Sequence, residues 1–95
     1  MSAAGKLARA LTAMADAVGQ AVCVAIIGER PWASATFVGA RHVLALDGDS
    51  SAGFAAWVDT LADAEFAVPG HLVVDVSVER STGGVRLSAL MLVAA

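Results

Sequence analysis

The chain has a single cysteine, Cys23, a single lysine, Lys6, and no tyrosine. One cysteine leaves no intramolecular disulfide and no multi-cysteine metal centre. Cations are few and scattered: Lys6, Arg9, Arg30, Arg41, Arg80 and Arg86 form no run, and the formal net charge is −3. Neutralising phosphates takes clustered cations, so no nucleic-acid partner is expected. A basic helix lying on a membrane is disfavoured for the same reason. Unbroken apolar stretches fall short of the ~18–20 residues that span a bilayer, so no membrane partner is expected either. The alanine-rich stretch after Lys6 and Arg9 is interrupted by Asp16 and spaces its apolar residues helically, which argues against a secretory signal. A cytoplasmic, bacterial-type protein is the default expectation.

Motifs that carry chemistry are also missing. There is no G-x-x-x-x-G-K, G-x-G-x-x-G, G-x-S-x-G or H-E-x-x-H. Asp47-Gly48-Asp49-Ser50-Ser51 resembles the start of an EF-hand calcium loop, but Ala52 and Val58 stand where that loop needs glycine and glutamate. The segment reads as a turn in which Asp49 or Ser50 caps the next helix. No cofactor and no metal are expected. Cys23, inside a run of valines and isoleucines, reads as a small buried hydrophobe.

What is present is apolar. Ala, Val, Ile, Leu, Met, Phe, Trp and Cys make up 58% of 95 residues. Alanine supplies 22 of them, yet Leu, Ile, Val and Phe still sum to 27, well above the level of disordered chains. The length fits a single domain over residues 1–95.

Residues 3–18 read as an amphipathic helix with Leu7, Leu11, Met14 and Val18 on one face, Ser2 as N-cap and Gly19 as left-handed C-terminal cap. Residues 21–28 read as a strand, broken by Glu29-Arg30-Pro31. Residues 33–46 read as a second strand, paired with the first through a hairpin around 29–32. Gly39 invites a β-bulge that brings Phe37 onto the side of Leu44 and Leu46. Residues 51–66 read as a helix carrying Phe54, Trp57, Val58 and Leu61, ended by Pro69-Gly70. Residues 71–80 alternate, with Leu72, Val74, Val76 and Val78 inward and His71, Val73, Asp75, Ser77 and Glu79 outward. Residues 81–84 close a hairpin to a last strand over 85–93, apolar on both faces at its end.

This α-β-β-α-β-β order predicts an α+β two-layer sandwich: a four-stranded antiparallel sheet with both helices on one face. In topology alone it resembles a circular permutation of the ferredoxin-like βαββαβ fold. That resemblance implies second and fourth strands in the centre, first and third at the edges. An edge strand as apolar as residues 21–27 then needs covering.

The polar candidates for a ligand site are Arg41, His42, Asp75 and Glu79, with Trp32 as an aromatic lip beside Pro31. Asp75, Ser77 and Glu79 otherwise read as a solvated charge ladder facing Arg41 and Arg86. His71 and Asp75 lie about 13–14 Å apart along one strand, too far to pair. The apolar surplus collects on the sheet face away from the helices: Cys23, Ile27, Val73, and either Leu90 and Leu92 or Met91 and Val93. The expectation is therefore a self-associating homodimer, through that open face or a strand edge, of interaction or structural role. The alternatives are a small-molecule binder or small enzyme with a pocket between sheet and helices, and a protein partner added at the first strand.

Overall fold

A computed structural model describes residues 2–49, 51–82 and 84–93. The elements are α1 (Ala3–Ala17), β1 (Cys23–Ala33), β2 (Val38–Asp47), α2 (Ala52–Thr60) followed by a 3-10 turn (Leu61–Asp63), β3 (His71–Ser81) and β4 (Gly84–Val93). All pairings are antiparallel and the sheet order is β1-β2-β4-β3. The α+β sandwich and its central and edge strands are as the sequence predicts.

Helix α1 forms because its ends are satisfied and one face is buried. The Ser2 side chain accepts from Gly5 N at 3.0 Å. At the far end Gly19 takes φ +75°. The Gly19 and Gln20 amides then donate to Asp16 O and Ala15 O, a Schellman ending. Ala4, Leu7, Leu11 and Ala15 are buried. Val18, expected on that stripe, lies past the last turn and is exposed. Helix α2 is shorter than residues 51–66, because it tightens into the 3-10 turn at Leu61. Its cap is Ser51, whose hydroxyl accepts from Phe54 N at 3.1 Å, and not Asp49; Ser50 lies outside the described residues. Asp49 instead accepts from Ser51 N at 3.0 Å. The Ser51 hydroxyl first, and then its backbone N–H, hold the Asp49 carboxyl below its ordinary value.

Leu7 and Leu11 from α1, Phe54, Trp57 and Val58 from α2, Leu44 and Leu46 from β2, and Leu87, Ala89 and Met91 from β4 form one cluster. Both helices therefore cover the same side of the sheet. At about 1.5–3 kcal/mol per buried large side chain, this cluster is the main favourable term holding the layers together.

The strands depart from the sequence reading in three places, each with a physical cause. First, β1 runs through Pro31 to Ala33, and the turn is Ser34–Phe37, not 29–32. Proline is tolerated because β1 is an edge strand and can leave one N–H side unpaired. The turn is closed by Ser34 N donating to Phe37 O at 2.8 Å, and by the Ser34 hydroxyl accepting from Phe37 N at 3.0 Å.

Second, Gly39 makes no bulge. It pairs with both Trp32 and Leu92 in unbroken register. A Cβ there would stand 2.0 Å from Met91 O, so glycine lets two central strands approach. Simple alternation survives, and Phe37 does not join Leu44 and Leu46. Third, the bulges are at Ile27 in β1 and between Val74 and Ser77 in β3. Asp75 opens the second bulge with φ +51°, a left-handed conformation that aspartate tolerates better than most residues. The extra residue reverses the strand's faces. Val76 and Val78 pack against the core, but so does Val73, while Leu72 and Val74 turn outward.

Candidate functional site: the uncovered sheet face

Cross-strand partners share a face, so the pairings list the uncovered side row by row. The first row runs Trp32, Gly39, Leu92, Leu72 from β1 to β3. The second runs Arg30, Arg41, Leu90, Val74. The third runs Gly28, Val43, Ser88, Ser77, with the bulged Ile27 beside it. The fourth runs Ala25, Ala45, Arg86, Glu79. One half of the face is thus apolar and the other polar or small. Leu72 is 51% exposed, Trp32 38% and Val74 37%. Phe37 continues the apolar half onto the hairpin tip, where residues 33–38 extend past the β2–β4 pairing and are exposed.

Arg41 and Asp75 meet across β4. Arg41 Nη2 donates to Asp75 Oδ2 at 2.6 Å, above the row that holds Leu90. Their side chains are 36% and 67% exposed, so the pair fixes geometry more than it adds stability. The left-handed Asp75 backbone carries that carboxylate to the open side. Glu79 lies directly opposite Arg86 in register. Of the charge ladder expected along β3, the Arg41–Asp75 level forms an ion pair and the Glu79–Arg86 level is matched in register only.

The five candidate side chains do not converge. Arg41 and Asp75 pair. Glu79 lines a concavity of about 690 Å³ with Cys23, Asp47 and Arg86 at the far end of the face. Trp32 is six β4 positions from Glu79, roughly 20 Å along the strands. His42 is on the opposite face altogether, 1% exposed beneath the helices. Its Nδ1 lies 3.4 Å from Glu29 Oε1, but neither ring nitrogen makes a hydrogen bond among the described residues. His71 Nδ1 sits 3.1 Å from Pro69 O, local to its turn. A pocket joining Arg41, His42, Asp75 and Glu79 is not formed.

Two further expectations change. Cys23 is exposed, not buried, because it opens an edge strand on the uncovered side. Val73 belongs to the core, and Leu72 and Val74 take its place outside. Of the two β4 pairs, Leu90 and Leu92 lie on the uncovered side by register, though only 7% and 8% exposed, and Met91 faces the helices. Sequence alternation missed Leu72 and Val74 because a bulge leaves no mark on the pattern; Asp75 within a valine run was the available signal.

Among the described residues, no helix is long and apolar enough to cross a membrane. No protein-family model, curated protein or solved structure matches the chain.

Proposed function

We propose that this protein is a self-associating module whose open sheet face is closed by a second copy of the chain, in an interaction or structural role. The observation that carries this is the exposure of Leu72, Val74 and Trp32 on the uncovered side of the sheet, where they flank Leu90 and Leu92, which are themselves only 7% and 8% exposed. Contiguous apolar patches of this kind mark contact sites. The total accessible surface, 5636 Å², exceeds the roughly 5,000 Å² typical of a monomer of this mass. Removing about 1,000 Å² of apolar area would contribute on the order of 25 kcal/mol gross, from which association and ordering costs subtract much.

The face is favoured over a strand edge. Both edge strands are bulged, and β1 also carries Glu29, Arg30 and Pro31. These are devices that obstruct strand addition. Sedimentation equilibrium is the test. A dimer in the micromolar range that becomes a folded monomer on Leu72→Asp supports the reading. A native chain that stays monomeric across that range overturns it.

A further inference from the structure

We propose that the concavity at the polar end of the open sheet face binds small zwitterions of the α-amino-acid class, with Arg86 taking the carboxylate and Glu79 the ammonium. Its volume of about 690 Å³ lies within the ~300–1,000 Å³ of small-molecule sites. Ala25 and Ala45, whose side chains end at Cβ, form the floor, and Arg86 and Glu79 continue the same row as a wall. Asp47 and Cys23 stand one row further on, opposite each other. Leu92, in the apolar row, is six β4 positions from Arg86, roughly 20 Å along the strand. The site is therefore separate from the apolar rows and needs no second copy of the chain.

The state of the charges points to the ligand. Elsewhere the cationic heads are committed within the chain: Lys6 donates to Pro69 O, Arg41 pairs with Asp75 and Arg80 with Asp59. Arg41 even reaches its carboxylate across a whole strand. Arg86 has Glu79 directly opposite on the adjacent strand. Yet among the described residues neither side chain makes a hydrogen bond or ion pair, and nor does that of Asp47. Charges of both signs are thus left uncommitted around one hollow. An anion would sit beside two carboxylates, and a cation beside a guanidinium. A zwitterion meets both signs. The planar guanidinium can donate two parallel N–H bonds to a carboxylate, and the Glu79 carboxylate can accept from an ammonium. In an α-amino acid the two charged groups share one carbon, which suits side chains that rise from cross-strand partners about 5 Å apart.

Calorimetric titration of the native chain tests the site. L-alanine and L-leucine should each bind saturably with Kd below about 1 mM. The two halves of leucine, 3-methylbutylamine and 4-methylpentanoate, each lack one charged group and should bind about tenfold more weakly or worse. Cys23 is the single cysteine and is exposed at the rim, so it gives an independent readout: saturating L-leucine should slow its alkylation by iodoacetamide. Arg86→Met and Glu79→Gln should each weaken leucine binding about tenfold at an unchanged urea midpoint, with Arg86→Lys intermediate. Arg30→Met makes the same charge change in the second row and should leave binding within about twofold. Absence of saturable binding up to about 10 mM of either amino acid overturns the site. So does a half-molecule that binds as tightly as leucine, which would mark a plain cation or anion site. Binding that leaves Cys23 unprotected places the ligand elsewhere and overturns it too. None of these results bears on the open-face dimer, which sedimentation decides separately.

Discussion

At the scale of single residues, position in the sheet decides what each side chain can do. Gly39 is the tightest spot, since any Cβ would press on a backbone oxygen of the neighbouring central strand. Gly39→Ala is expected to cost about 3 kcal/mol, near the upper end for overpacking, read as a lowered urea midpoint at constant m. His42 behaves in the opposite way. It is buried and neither ring nitrogen makes a hydrogen bond among the described residues, the Glu29 carboxylate standing 3.4 Å from Nδ1, and an unmade hydrogen bond costs about 1–3 kcal/mol. His42→Leu should leave stability unchanged or raise it by about 1 kcal/mol; a loss of 2 kcal/mol or more would show that the imidazole has a partner worth keeping. Asp49 makes a statement about pH. Its carboxyl titrates below the ordinary 3.8 in the folded chain. Its stabilisation is therefore present above that value and is lost as pH falls through the lower, folded one. Stability against pH should show an acid-side loss that Asp49→Asn reduces.

At the scale of elements, the bulge in β3 is the main determinant. Asp75 serves it in two ways, by accepting a left-handed backbone and by pairing with Arg41. The two are separable. Asp75→Gly keeps the backbone and loses the pair, and should cost well under 1 kcal/mol because the pair is exposed. Asp75→Ala loses both, and should cost about 1–2 kcal/mol. Equal losses in chemical denaturation would mean that the ion pair, not the backbone, holds the bulge.

Much of this level was legible in the sequence. Leu7 and Leu11 at helical spacing, Ser2 and Gly19 at the helix ends, and the order of elements all follow from local chemistry. So does the placing of the doubly apolar last strand in the sheet centre. What stayed hidden depended on neighbours. Pro31 looked like a strand end because proline cannot donate, yet an edge strand needs no donor on its outer side. The Ser34–Phe37 turn contains neither glycine nor proline, so nothing flagged it. The candidate site fared worst. Arg41 and Asp75 were legible as polar residues of facing strands, whereas the burial of His42 and the outward turn of Leu72 follow from register and bulge, which no single strand encodes.

At the scale of the whole molecule, the apolar composition resolves into two surfaces. One is satisfied by the helices and the other is left open. If the open one is closed by a second copy, thermal stability must depend on protein concentration. Dilution should lower the native Tm and leave that of a Leu72→Asp chain unchanged. A native Tm independent of concentration would mean that the folded chain is complete by itself.

The extra residue at Asp75 also bears on how such a protein could change over time. Substitution alters a surface one side chain at a time. Removing one residue at the bulge would instead rotate the whole start of β3, carrying Leu72 and Val74 inward and Val73 outward in a single step. If the open-face dimer proposed above holds, the boundary between a chain that seeks a companion and one that is self-sufficient is a matter of length more than of hydrophobicity. Lineages could cross it by a three-nucleotide deletion, with hardly a change in amino-acid composition.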